Sequence, residues 1–304
     1  MPIIARGVWC HALLAIRGDY IMVDLKEKLR EIAMNEGADY FGVAPVSRWE
    51  HAPEGHRPTD LMPTAKTVVV VGIKIPEGAI ESNNRSYEGK RHGIFTYMIY
   101  GYNLINDVLN NTTGKMYSYL ENAGIKTFPL PASTPRDEYK MEGVMSNRHA
   151  AVCAGLADMG WNGLALTPKD GPRVRWAPLI MEAELEPDPL YNGPKLCDRS
   201  QCRVCIDICP VNALPEEESV GIQVEDKSFR YGKLKKPVCR CGVTGLAKGT
   251  PGRLQADIPD DITNVEGWLK IASTDIIWNQ MERVAAMCGR CLTQCPVGMD
   301  FSKK

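Results

Sequence analysis

Two short cysteine runs constrain this chain more than any other feature. The first reads Cys197-x4-Cys202-x2-Cys205-x3-Cys209-Pro210 and the second Cys288-x2-Cys291-x3-Cys295-Pro296. Nine of the eleven cysteines in the 304-residue sequence fall between Cys197 and Cys295. That density is far below a small disulfide scaffold, so the excess is a localised module. Clustered thiols of this kind point to metal or redox chemistry rather than to disulfides.

The spacing says more. Three closely spaced thiolates wrap one face of an iron–sulfur cube, while the cysteine before proline turns away and ligates a second cube, as in the two-cluster bacterial signature. Proline there sets φ and ends the local turn. One cluster is then expected on Cys197, Cys202, Cys205 and Cys295. The other takes Cys209, Cys288 and Cys291 and lacks a fourth ligand; Cys239 and Cys241 are the candidates, with Cys239 slightly favoured. Two [4Fe–4S] clusters are the reading, although the first gap is x4 where x2 is usual. A zinc ribbon would use C-x2-C pairs but asks for neither the third cysteine nor the Cys-Pro endings. A plant-type [2Fe–2S] site would leave the second run unexplained. Cys10 and Cys153 stand alone, and Cys153, among Ala150, Ala151 and Ala154, is expected as a buried small hydrophobe.

Composition bounds the rest. A formal charge of −1 argues against a dedicated nucleic-acid binder. With 44% hydrophobic and 24% charged residues, wholesale disorder is excluded. No run of about 20 apolar residues exists, so no membrane span is expected. Residues 8–16 are apolar but broken by Cys10 and His11, with only Arg6 ahead and no cleavage site behind. A signal peptide is the weaker reading, and a cytoplasmic chain starting at Met1 or Met22 is expected.

Up to about residue 190 helical and strand patterns alternate. Leu25, Leu29, Ile32 and Ala33 recur at helical spacing, with Gly37 just past the end. Residues 40–44, 67–75, 125–130, 163–167 and 174–181 read as strands; the β-branched run 67–75 fits a strand covered on both faces. Residues 94–123 read as helical with a break near Thr112–Gly114, and residues 147–159 as a helix. Residues 185–194 hold three prolines and a glycine, a plausible boundary. From Cys197 onward regular strands are expected to disappear. The glycines match neither G-x-G-x-x-G nor a P-loop.

Several stretches resemble the family of reductive dehalogenases and epoxyqueuosine reductases. These are A-G-L-x-x-x-G-x-N-G-L-x-L-T-P-x-x-G-P-R-V-R over residues 154–175, Asp60-Leu-Met-Pro63-x-Ala65-Lys66 leading into the 68–71 strand, and the aromatic helix from Tyr97 to Tyr102. The double cluster follows in the same order, and the likeness spans roughly residues 25–297. The resemblance implies an α/β (α+β) chain in two parts: a nitroreductase-like corrinoid and substrate domain over 22–192, and a double [4Fe–4S] ferredoxin-like module over 193–304. It further implies single electrons passing through the clusters to a cobalamin that reduces a small-molecule substrate, with a positioned acid supplying the proton. Corrinoid contacts are then expected from Gly155, Leu156, Gly160, Asn162, Gly163, Thr167, Pro168, Gly171, Pro172 and Arg173. Candidate catalytic residues are Tyr102, Tyr139, Glu142 and Arg175. The sequence departs from both branches: the V-D-x-x-P acid segment is replaced by residues 135–143 (PRDEYKMEG), AGLGE reads AGLAD, and no twin-arginine signal is present.

The expected partners are a low-potential ferredoxin or flavodoxin as electron donor, with a homodimer left open and tRNA ranked last. Six basic residues between Lys227 and Arg240 could dock an acidic donor, but a solvated loop is the blander reading. A non-catalytic iron–sulfur electron carrier, or a corrinoid-reducing partner protein, is the alternative to an oxidoreductase.

Overall fold

The computed structural model describes residues 18–90, 93–133, 136–137, 142–243, 245, 247–250 and 288–299, with the backbone alone for 18–24 and 136–137. Cys10 and Tyr139 lie outside them.

At the centre is a four-stranded antiparallel sheet in the order β1 (Tyr40–Pro45), β2 (Thr67–Lys74), β8 (Val174–Met181), β3 (Thr127–Pro129). The expected strands 40–44, 67–75, 125–130 and 174–181 are therefore present, and the arrangement is a mixed α/β one with antiparallel sheets. Because side chains alternate along a strand, β2 feeds two cores at once. Val69 and Val71 join one core with helices α1 (Gly18–Asn35), α2 (Glu77–Tyr87) and α3 (Leu104–Asn122). Val68 and Val70 join the other with α4 (Asn147–Cys153), Trp49 and Trp176. All four valines are at most 1% exposed, each contributing about 1.5–3 kcal/mol by leaving water.

Helix α1 ends through bonds from Gly37 and Ala38 to Met34 and Ala33, as the expected glycine stop implies. Several expectations are corrected. No break falls at Thr112–Gly114: α3 is continuous there, and the Thr112 and Thr113 hydroxyls find acceptors inside it on the carbonyls of Val108 and Leu109. The irregularity lies earlier: Tyr97–Asn103 is a π-helical turn, closed by the Leu104 amide on the Ile99 carbonyl. Helix α4 stops at Cys153 rather than running to residue 159. Gly155 follows at φ +74°, where a Cβ would lie 2.0 Å from the Pro189 carbonyl oxygen. Residues 163–167 contribute only the short β7 (Ala165–Leu166), paired with β6 (Asp158–Met159).

Strands also do not disappear after Cys197. β9 (Ser219–Val224) and β10 (Lys227–Gly232) form an antiparallel hairpin, and a helix, α5 (Lys236–Val243), follows. The basic stretch is thus a strand and a helix, not a solvated loop. The proline-rich 185–194 segment packs against the sheet: Asp188 exchanges bonds with the Val43 backbone and Leu185 and Leu190 are buried. Among the described residues no helix is long and apolar enough to cross a membrane.

Candidate cofactor cavity and cysteine centre

A cavity of about 1180 Å³ opens between the α4 side of the sheet and the β9–β10 hairpin. That exceeds the usual 300–1,000 Å³ of small-ligand pockets. Its walls come from residues 48–49, 51–53, 56, 130–133, 142–149, 162–165, 172, 174–176, 220–224, 231–234 and 236, with Tyr102, Cys153 and Leu292. The hairpin is held there by Arg48, itself only 6% exposed, which donates to Glu225 (2.7 Å) at the hairpin tip and to the carbonyls of Cys153 and Asp188. Trp161 adds a second tie by accepting from the Gly232 amide and donating to Pro215.

The structure brings some expected site residues together here and leaves others apart. Tyr102, Glu142, Arg175, Asn162, Gly163 and Pro172 line the cavity. Tyr102 leaves the π-turn with its hydroxyl sharing a 2.6 Å hydrogen bond with Ser133. The Arg175 guanidinium stacks 3.9 Å over the Tyr102 ring and donates to the buried Asn106 carbonyl oxygen. Glu142 is engaged by Lys236 and lies 3.7 Å from His56. Gly155, Leu156, Gly160, Thr167, Pro168, Gly171 and Arg173 are not on the cavity wall. Leu156 packs into the second core, and Thr167 and Gly171 close a turn on one another with Pro168 exposed at its tip. Gly171, at φ +56°, lets that turn meet the 297–298 backbone: a Cβ would lie 2.0 Å from the Val297 carbonyl oxygen. Arg173 is 8% exposed and donates to the carbonyls of Cys295 (2.9 Å) and Val297.

Three cavity residues escaped the sequence reading as a group. Arg148 lines the cavity with its side chain exposed and donates to the Gly163 carbonyl (2.6 Å). His149 is depressed to about 4, first by burial and then by the Arg148 charge, so its imidazole is neutral at neutral pH. Tyr231, from β10, tilts against His149 with ring centroids 5.5 Å apart. The alternation of Phe229 and Tyr231 with charged residues was the available signal for the strand that delivers it.

All ten described cysteines are free thiols. Their mutual influences divide eight of them into two neighbourhoods. Cys205 is pushed up to about 12, first by burial and then by Cys197, Cys295 and Cys202. Cys295 is pushed up to about 11 by burial, with Cys197 and Cys202 adding to the rise. In the other set Cys239 is pushed up to about 12 by burial and then by Cys288 and Cys209. Cys291 is raised well above the usual thiol range by burial, then by Cys239, Cys288 and Cys209, with Cys205 the weakest contributor and the link between the sets. Cys241 is raised to about 11 chiefly by burial. Both residues lie on α5, and helix positions two apart do not share a face. Cys153 is buried, as its alanine-rich surroundings imply, and pushed up to about 12 chiefly by burial.

The thiols also receive hydrogen bonds suited to stabilising sulfur charge: the Trp161 amide to Cys197 (3.3 Å), the Ala213 amide to Cys209 (3.2 Å) and the Tyr87 hydroxyl to Cys288 (3.0 Å). Among the described residues no three His, Cys, Asp or Glu side chains converge to hold a single ion. Ligands of a four-iron cube bind different metal atoms and stand farther apart than ligands of one zinc. The second run is stitched to the α/β layer by Asn83, Tyr87 and Asn162, which donate to the carbonyls of Cys288 and Cys291. Asn162 and Leu292 also line the cavity, so the set containing Cys291 lies against its wall.

Comparison with known proteins places this geometry. No protein-family model matches the chain. It is 26% identical over 195 residues to epoxyqueuosine reductase of Staphylococcus aureus, covering 63% of this chain and 45% of the relative. It is 31% identical over 160 residues to tetrachloroethene reductive dehalogenase of Desulfitobacterium hafniense, covering 51% of this chain and 26% of the relative. Its homologues are epoxyqueuosine reductases and reductive dehalogenases. The chain spans about half the length of the former or less, and about a quarter of the latter. Among solved structures, a selenomethionine-labelled epoxyqueuosine reductase matches with a TM-score of 0.53 at 18% identity, covering 91% of this chain and 66% of that one. A reductive dehalogenase studied for B12-dependent dehalogenation matches with a TM-score of 0.51 at 16% identity, covering 90% of this chain and 41% of that one. At these identities the likeness is one of fold.

Proposed function

We propose that this chain is an oxidoreductase that takes single electrons through two [4Fe–4S] clusters to a corrinoid in the cavity, where a small-molecule substrate is reduced. The observation that carries the reading is the division of eight thiols into Cys197, Cys202, Cys205, Cys295 and Cys209, Cys239, Cys288, Cys291, the second set against the cavity wall. Each set holds four thiols and takes a member from both runs, as two shared cubes require. The size of the cavity and the reductase homologues support the corrinoid.

When bound, the clusters and the corrinoid supply low-potential electrons and a reducing cobalt. The protein's own residues handle the proton. Tyr102 presents its hydroxyl to the cavity on the π-turn, with Ser133 fixing its direction. Arg175, held by Asn106, sits where it balances the charge left on the phenol oxygen once the proton is given up. Tyr87 and the Trp161 and Ala213 amides stabilise thiolate sulfur, and the second core keeps water from the sheet side of the cavity. Glu142, tied to Lys236, serves to join the wall segment 142–149 to helix α5.

Anaerobic reconstitution with iron, sulfide and cobalamin, followed by metal counts and spectroscopy, tests this. About eight irons and one cobalt per chain are expected. Eight irons with no retained cobalt would move the reading to an electron carrier; zinc in place of iron would end it.

A further inference from the structure

One face of helix α2 meets the second cysteine run. Asn83 and Tyr87, one turn apart, both reach Cys288. The Asn83 side-chain amide donates to the Cys288 carbonyl (3.3 Å). The Tyr87 hydroxyl lies 2.8 Å from the same carbonyl oxygen and 3.0 Å from the Cys288 sulfur. Gln294 secures the joint by donating to Asn84 (2.6 Å). The Arg290 guanidinium stands 4.5 Å from the centre of the Tyr87 ring, a cation–π contact that fixes the ring's orientation. A phenol has one proton, and here it faces two acceptors. The carbonyl already receives the Asn83 N–H, so the proton can turn to the sulfur without leaving that oxygen unmet. Among the described residues no other side chain donates to any of the eight thiols. The remaining sulfur contacts come from backbone amides, such as those of Trp161 and Ala213, which the fold holds fixed. Tyr87 is therefore a donor that can respond to the charge on its acceptor.

We propose that Tyr87 tunes the reduction potential of the cube on Cys209, Cys239, Cys288 and Cys291, its hydroxyl turning from the Cys288 carbonyl to the Cys288 sulfur when that cube takes up an electron. The inference rests on the two-cluster reading and extends it to where the electron waits. A low-potential ferredoxin supplies the electron. The added negative charge spreads onto sulfur, and the O–H follows it. Hydrogen bonds to charged acceptors are the stronger ones, so the bond favours the reduced state over the oxidised state. The proton stays on the phenol oxygen: no covalent bond forms or breaks, and no proton is taken up. The potential of the cube against the cavity wall is raised, which favours an electron resting beside the chamber. Tyr87 is a positioning residue, acting through Cys288.

The test uses the reconstituted full chain and Tyr87→Phe, with Tyr119→Phe, an exposed tyrosine of α3, as control. In a dithionite titration followed by electron paramagnetic resonance, one of the two cluster midpoints should fall in Tyr87→Phe. Its reduction equilibrium should weaken about tenfold, which is about 59 mV for one electron. The other midpoint should stay, and the control should match the wild type. The cube that moves should be the one damaged in Cys239→Ala. After exchange of the reduced wild type into heavy water, electron–nuclear double resonance should lose a proton signal coupled to that cube, and Tyr87→Phe should lack the signal from the start. Fluorotyrosine at position 87 keeps the ring and strengthens the donor, so the same midpoint should rise; this arm carries the comparison should Tyr87→Phe fail to load iron. Unmoved midpoints at about eight irons per chain, or a shift confined to the cube on Cys205, would overturn the proposal and leave the two-cluster reading standing. Zinc in place of iron in the wild type would overturn both.

Discussion

Replacing Cys239 and Cys241 separately by alanine is the most direct trial of the cluster assignment. The two are separated by one residue on the same helix and differ in their surroundings: Cys288 and Cys209 act on Cys239, whereas burial is the main influence on Cys241. Cys239→Ala removes one of four proposed ligands from one cube. Iron should fall from about eight per chain to between about four and seven, the upper values accompanied by the electron paramagnetic resonance signal of a three-iron cluster. Cys241 is fully buried, so Cys241→Ala deletes one packed sulfur at a cost of about 1 kcal/mol. That should lower the melting temperature by about 2–4 °C at unchanged iron content. Iron and sulfide analysis, with low-temperature spectra of the dithionite-reduced protein, reads both outcomes. A Cys241→Ala protein that loses iron while Cys239→Ala keeps it would refute the reasoning.

Three further outcomes are expected. Tyr102→Phe, assayed by single-turnover reduction, should lose about 10²–10⁴ in rate with iron and cobalt retained, and Arg175→Gln should lose rate with it; an unimpaired Tyr102→Phe would remove the phenol from the mechanism. Arg173→Ala leaves the Cys295 and Val297 carbonyls without their donor, which costs about 1–3 kcal/mol for each buried group; denaturant unfolding should show it, and wild-type stability in this variant would contradict the contact. His149, depressed to about 4 from its ordinary 6.5 by burial and by Arg148, binds a proton more readily unfolded than folded in that window. Its contribution to stability is complete above about pH 6.5 and is lost as pH falls through about 4, and His149→Gln should flatten that part of the stability profile; an imidazole NMR titration centred near 6.5 would rule it out.

What the sequence made legible follows from which forces act locally. The run from Thr67 to Ile75 needed no context, because four consecutive valines fit only a strand buried on both faces. The proposed pairing of the two cysteine runs across some ninety residues rests on their spacing, which carries cube geometry. The sequence leaves the eighth proposed ligand open between Cys239 and Cys241, since the choice depends on which face of a short helix turns inward. The π-turn at Tyr97–Asn103 has no compositional mark. Its extra residue shows only in the backbone bonds, yet it carries Tyr102. The β9–β10 hairpin was hidden by its own basic residues and by a turn with no glycine, where Glu225 adopts φ +52°. Gly171 and Arg173, two of the expected cofactor contacts, meet the 295–298 backbone at the Thr167–Gly171 turn, a tertiary event with no local signature.

The exchange of one cysteine between the two runs has a topological consequence. On the proposed assignment Cys295 returns to the first set and Cys209 crosses to the second, so each cube is a rivet through both ends of the intervening chain. A covalent tie across a loop of that length restrains the unfolded chain by about 4–5 kcal/mol, and neither rivet can be withdrawn without slackening the seat of the other. Oxygen damage to one cube should therefore propagate, so that the pair is lost as a unit and the hairpin wall of the chamber loosens with it.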